Sequence, residues 1–222
     1  MAMIRKTCVV IALLAAISVA GSGGLALGGE PAAAPSDPMV QMKALANQIL
    51  AAANQPECKS ASPACREKLR SLVEQHWDIS EMARMALGVH WKGLDDNERQ
   101  HFAKLFADLT EAIYLSRSNL SKAQGATKDV KVEFVREIRD GDDYSQVNTY
   151  VTLQGRDKPI SVNYRLKRDG DVWKAYDVLV DGISIVSNYR NQFSRVINNK
   201  GYPELVRQLQ QKIQQVNASE GT

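Results

Sequence analysis

The chain has 222 residues, 44% of them hydrophobic, and a formal net charge of +3 at pH 7 that falls to +1 once Arg5 and Lys6 are set aside. A chain of this length and apolar content buries a sizeable core as one domain. So nearly neutral a body offers no electrostatic footprint for nucleic acid, which excludes that class of partner.

Residues 1–20 read as a signal peptide, since Arg5 and Lys6 precede an apolar run from Cys8 to Ala20 that ends in the small residues Ser18, Val19 and Ala20. The run is too short for a membrane span, and Cys8 follows Arg5, Lys6 and Thr7 rather than a lipoprotein box. Residues 21–38, rich in Gly, Ala and Pro, read as a flexible linker, residues 39–217 as the folded domain and 218–222 as a frayed tail. In an exported chain the remaining pair, Cys58 and Cys65, points to a disulfide. A redox pair or a metal site is the alternative, but the spacing is not Cys-x-x-Cys and no His lies in the loop, so the pair reads as a structural staple.

Helical stripes follow in order. Met42, Leu45, Ala46 and Ile49 mark a helix over 39–53; a second runs from about Arg66 to Gln75 and a third from about Ser80 to Gly88. Asp78 or Ser80 can cap the third, whose Met82, Ala83, Ala86 and Leu87 share one side. That stripe is deformable enough for an irregular ligand, though spacing alone favours ordinary core. The longest helix begins at Asp95 or Asp96 and continues to about Ser121, with Phe102, Leu105, Phe106 and Leu109 inward.

Strands then alternate: Val130, Val132 and Phe134; Tyr144 to Gln154, with Val147, Val151 and Leu153 on one face; Pro159 to Lys167, with Ile160, Val162, Tyr164 and Leu166; and Val172 to Asp181. In the last of these Val172, Tyr176, Val178 and Val180 are expected on one face and Trp173, Ala175 and Leu179 on the other. After Gly182 the period lengthens to that of a helix through Ile185, Val186, Tyr189, Phe193, Val196 and Ile197; Gly201 ends it and Pro203 opens another. The expected fold is α+β: N-terminal helices, a four-stranded antiparallel meander and two C-terminal helices. Whether the layers close into a solid core or leave an apolar cavity between sheet and helices is open on pattern alone.

No catalytic constellation is visible. His76, His90 and His101 have no metal-ligand spacing, and no nucleophile elbow, phosphate loop or dinucleotide fingerprint occurs. Neither a cofactor nor a metal is expected. An isomerase-like or hydratase-like reading would need an acid or base in the cavity, and Asp177 is the one candidate.

Asp181-Gly182-Ile183-Ser184, followed by Asn188-Tyr189-Arg190 and Gln192-Phe193, together with Trp173-Lys174 and Asp177-Val178 before it, resembles the C-terminal signature of the MlaC, or toluene-tolerance, family of periplasmic phospholipid-binding proteins. Met82-Ala83, Leu87-Gly88, Trp91, Phe102, Phe106, Leu109 and Tyr114 also match the family's order of residues. The likeness runs from about Met39 to Lys212 and is most specific between Asn163 and Phe193; the family pattern does not call for Cys58 and Cys65. It implies a non-enzymatic lipid carrier with the apolar cavity present, shuttling phospholipid between an inner-membrane lipid transporter complex and an outer-membrane lipoprotein complex, which maintains outer-membrane lipid asymmetry. A monomer is expected. The alternatives are a hopanoid-associated protein of the same family and a non-catalytic periplasmic adaptor with a solid core.

On that reading the lipid-binding wall comprises Met82, Ala86, Leu87, Phe106 and Leu109 from the helices, and Val147, Val151, Ile160, Val162, Tyr164 and Val178 from the sheet, with Ile185 and Tyr189 closing one side. Arg190 could meet a phosphate at the cavity mouth, but a helix-surface ion pair is the favoured reading.

Overall fold

Local capping explains where the helices start. The computed structural model describes residues 37–53, 55, 58, 62–115, 130–153 and 158–219. The signal peptide, nearly all of the linker and the end of the longest expected helix lie outside the described residues. Helix α1 (Pro38–Ala53) is capped by Asp37, whose Oδ1 accepts from the N–H groups of Met39 at 2.9 Å and Val40 at 3.1 Å. Helix α2 (Pro63–His76) begins three residues before the expected Arg66, because Ser62 caps it and Pro63 preorganises its first turn. Cys58 and Cys65 are disulfide-bonded with Cα atoms 5.0 Å apart, tying the end of α1 to the start of α2. Closing so short a loop stabilises by roughly 2.5 kcal/mol in the chain-entropy model.

Asp78 caps α3 (Ile79–Leu87), and Gly88 stops it with φ 58° and ψ −124°. A 3-10 turn (Gly88–Gly93) that the periodicity does not announce leads to α4 (Asp96–Tyr114), whose Asp95 and Glu98 form a reciprocal capping box.

The sheet has five strands in sequential antiparallel order, not the expected four: β1 (Lys131–Asp140), β2 (Tyr144–Thr152), β3 (Ile160–Asp169), β4 (Val172–Val180) and β5 (Ile183–Ser184). Two residues leave no alternation to read, so β5 has no sequence signature of its own. Between β4 and β5, Asp181 (φ 48°) and Gly182 (φ 79°) both take positive φ, the two-residue turn whose twist matches a hairpin.

The expected faces of β4 also need correction. Arg165 pairs with Asp177 while Leu166 pairs with Ala175, so Tyr176 is an extra residue in the ladder. This bulge shifts the alternation by one. Trp173 and Ala175 are therefore buried on the same face as Val178, whereas Val172 is 39% exposed.

Just beyond the bulge sits Asp177, 1% exposed. Its carboxylate accepts from Ser184 Oγ at 2.7 Å and from the Val186 N–H at 3.2 Å, and Arg165 approaches to 3.4 Å. Ser184 in turn caps α5 (Ile185–Lys200), accepting from the Ser187 N–H at 3.0 Å. Sheet and helix are thus joined through one buried carboxylate. Helix α6 (Tyr202–Ala218) follows after Gly201.

Two large apolar cores result, beside a small cluster of Ala52, Cys58, Cys65 and Leu69 around the disulfide. The first lies between the sheet and α1 and includes Met42, Leu45, Val132, Val147, Val162, Tyr164 and Trp173. The second is helical and gathers Met82, Leu87, Phe102, Phe106, Phe193 and Leu205 from α3, α4, α5 and α6. Trp77 and Tyr189 pack against both.

Asp177→Ala is expected to destabilise the fold by about 2–4 kcal/mol, since it strands the buried Val186 N–H and the Ser184 hydroxyl; urea denaturation reads this, and a loss under 1 kcal/mol would refute the joint. Gly88→Ala is expected to cost more than about 1 kcal/mol, because its backbone is left-handed and an added Cβ would sit 2.9 Å from Arg190 Cδ. A thermal melt of that variant decides the point.

Candidate functional site

Helix α1 lies over the inner face of the sheet and is fastened at its N-terminal end to both flanks. Gln41 donates Nε2–H to the Trp173 carbonyl at 2.6 Å and accepts from the Trp173 N–H at 2.9 Å. Its amide thus replaces the missing neighbour strand along the edge of β4. Asp78 extends the same edge by donating its N–H to the Ala175 carbonyl at 2.9 Å. On the β1 side Glu137 accepts from the Met39 N–H at 3.2 Å, and Arg139 pairs with Asp37 at 3.2 Å.

Beneath α1 lies a cavity of about 10 Å³, lined by Met42, Leu45, Ala46 and Ile49 of α1, Val132 and Phe134 of β1, Tyr164 of β3, and Trp77. That is room for about one water-sized sphere. No lining residue is charged. Tyr164 stands mid-sheet between Val147 and Val178 and is 3% exposed, and burial pushes its phenol well above the ordinary tyrosine value. It is therefore a neutral O–H at any physiological pH.

The residues expected to form one wall fall into the two cores. Val147, Val151, Ile160, Val162, Tyr164, Val178 and Ile185 belong to the sheet core, with Tyr164 reaching the cavity itself. Met82, Ala86, Leu87, Phe106 and Leu109 belong to the helical core. Tyr189 stands between the two, edge-on to Phe106 with ring centroids 5.4 Å apart. The stripe Met42, Leu45, Ala46 and Ile49, legible as a helix face, turns out to be the roof of the cavity. Trp77 had no periodic signal at all: it ends α2, and its backbone forms an isolated bridge with Ala175.

Polar candidates have structural partners. Asp177 is consumed by the sheet-to-helix joint. Arg190 donates to Ser187 Oγ at 3.3 Å, and its stem lies against Gly88, in place of the expected surface ion pair. His76 Nδ1 lies 2.9 Å from the Leu72 carbonyl one turn back. Among the described residues no group of three or more His, Cys, Asp or Glu side chains could hold a metal, and no helix is long and apolar enough to cross a membrane.

With this geometry in hand, known proteins can be set beside it. The family model described as MlaC protein matches residues 43–211. The intermembrane phospholipid transport system binding protein MlaC of Haemophilus influenzae is 21% identical over 188 residues, spanning 83% of this chain and 86% of that protein. A phospholipid-binding protein from Ralstonia solanacearum, solved in complex with a phospholipid, superposes with a TM-score of 0.69 at 22% identity, over 82% of this chain and 99% of that one. The last is a likeness of fold.

The Gln41 clip makes its own prediction. Gln41→Ala leaves the Trp173 N–H and carbonyl without their partner, and is expected to lower stability by about 1–2 kcal/mol. Amide exchange in α1 should accelerate while that in α6 does not; uniform exchange across both helices would refute a local fastening.

Proposed function

The chain belongs to the MlaC family, and from that premise we propose that it is a carrier that shields phospholipid acyl tails in the seam between α1 and the sheet. The observation that carries this reading is the cavity beneath α1, walled by uncharged side chains and roofed by one helix held at its end. Such a site suits hydrocarbon and provides no group for bond-breaking.

As it stands, the cavity is too small for any lipid. Ligand sites run to about 300–1,000 Å³, so entry of acyl chains requires α1 to move off the sheet. Opening costs the two hydrogen bonds of Gln41, about 1 kcal/mol each, the contacts of Met39 with Glu137 and of Arg139 with Asp37, and the apolar packing of Met42 and Leu45. Hydrocarbon that fills the seam replaces that packing, at about 0.8 kcal/mol per CH₂ kept from water, and in its absence the seam stays shut.

Val147, Val151, Ile160, Val162, Tyr164, Val178 and Ile185 form the floor that an opened seam offers to lipid. Met82, Ala86, Leu87, Phe106 and Leu109 join the wall where the seam extends past Trp77 and Tyr189 into the helical core. The carrier acts as a monomer in the periplasm after removal of residues 1–20. It passes lipid between an inner-membrane transporter complex and an outer-membrane lipoprotein complex, which keeps the outer membrane asymmetric.

Native mass spectrometry of the protein from a periplasmic extract is expected to show about one phospholipid per chain. A released hopanoid would replace the ligand, and an empty protein that takes no lipid from vesicles would refute the carrier. Placement is tested with phospholipids brominated in the acyl chain. Of the three Trp residues, Trp77 lines the cavity and Trp173 lies in the same core, so Trp77→Phe should lower the quenching, with Trp173 retaining part of it, while Trp91→Phe leaves it. The reverse pattern would move the lipid away from α1.

A further inference from the structure

Buried hydroxyls on the inner face of the sheet have partners, with one exception. Thr149 Oγ1 donates to the Val162 carbonyl at 2.6 Å, and Ser145 Oγ to the Ile138 carbonyl at 3.4 Å. Tyr164, 3% exposed on the same face, has a hydroxyl with no hydrogen-bond partner among the described residues. Among the described residues the fully buried side-chain polar atom without a partner is the Tyr202 hydroxyl, not that of Tyr164. The Tyr164 O–H is thus unpaired yet not sealed in, and its donor is open to a group that enters beside it. Tyr164 also lines the cavity beneath α1, so its side chain meets whatever enters there.

Resting on the phospholipid reading above, we infer that Tyr164 is a positioning and selectivity residue whose hydroxyl donates a hydrogen bond to an acyl-ester carbonyl of the bound glycerolipid. Several observations choose this acceptor. The phenol stays protonated because burial raises its pKa, so it is a donor at every physiological pH. The ligand atom it meets must therefore be an acceptor. A phosphate oxygen is charged, and no lining side chain carries the positive charge that would offset its desolvation. Ester carbonyls are neutral acceptors, and they stand at the head of each acyl chain. A carbonyl on Tyr164 would fix how deep the tails run, with the chains lying along the Val147 and Val178 ladders on either side. The charged head group then remains outside the seam.

This hydroxyl makes the site discriminate between lipids that share head group and chain length. A dialkyl-ether phospholipid keeps the phosphate and the hydrocarbon but lacks both carbonyls. One neutral hydrogen bond corresponds to about a fivefold preference.

The test is a competition. Delipidated wild-type and Tyr164→Phe proteins are incubated with mixed vesicles of diester and diether phosphatidylglycerol of equal chain length, and native mass spectrometry reads the ratio bound. Wild type is expected to favour the diester about fivefold, and Tyr164→Phe to take both equally. The empty Tyr164→Phe protein should melt no lower than wild type, because it loses an unmet donor rather than a bond. Equal uptake of both lipids by wild type would overturn the assignment alone, leaving the hydroxyl to an ordered water. Uptake of neither would overturn the phospholipid reading and the assignment with it. A variant that retains the full diester preference would likewise overturn the role of Tyr164.

Discussion

The carboxylate of Asp177, buried where the sheet gives way to the helical half, is the constraint on which the rest of the architecture depends. A carboxylate loses its hydration at such a position and must recover it in hydrogen bonds. Asp177 does so through Ser184 Oγ and the Val186 N–H, one the cap of α5 and the other in its first turn. The helix N-terminus also favours negative charge. Arg165 adds less, because its side chain is 41% exposed and its attraction is screened by water. Once α5 is oriented, Tyr189 and Phe193 are aimed at Phe102 and Phe106, and the four rings interlock at centroid distances from 5.4 to 6.4 Å. The helical core is therefore assembled from the corner outward. Its counterpart on the sheet is bounded by the same corner, since Ile185 packs there while Val186, the next residue, packs in the helical core.

Periodic segments were legible because their residues all report the same face. The helix stripes Met42 to Ile49 and Ile185 to Ile197, and the alternations of Val147 to Val151 and Ile160 to Leu166, needed no knowledge of their neighbours. The caps were legible only to within a residue or two, as Asp78 or Ser80 and Asp95 or Asp96, and the structure uses Asp78 and Asp95. What escaped was decided by pairing. Tyr176 is an ordinary strand residue until Arg165 and Leu166 are found opposite Asp177 and Ala175, and only then does the alternation break. The face assignment in β4 failed for that reason. Trp77 belongs to no stripe, yet it reaches both cores and the cavity.

The proposed lipid-facing wall is harder still to read. Pattern distinguishes buried from exposed but not packed from cavity-lining, because both demand apolar residues. Phe134 and Ile49 carry the same signal whether they touch hydrocarbon or one another. Tyr164 was the informative residue, as a polar atom placed among aliphatic ones has to be accounted for, and its alternation with Val162 and Leu166 had already set it on the inner face. A closed seam between α1 and the sheet is a mechanical statement as well: on the proposed reading, apolar surfaces that match each other in the empty state would match an acyl chain in the loaded one.

The amide of Gln41 has a consequence beyond fastening α1. By pairing with the Trp173 backbone it closes part of the β4 edge, as Asp78 does at Ala175 and β5 does further along. A bare strand edge beside exposed apolar side chains is a template for adding a foreign strand, the usual beginning of aggregation. In the proposed opening, lifting α1 would uncover that edge and the apolar seam together, so the open form would be the sticky one. A single side chain thereby ties colloidal safety to the resting shape of the molecule. On that proposal, hydrocarbon refilling the seam as α1 rises would remove half of the hazard in the same motion that creates it.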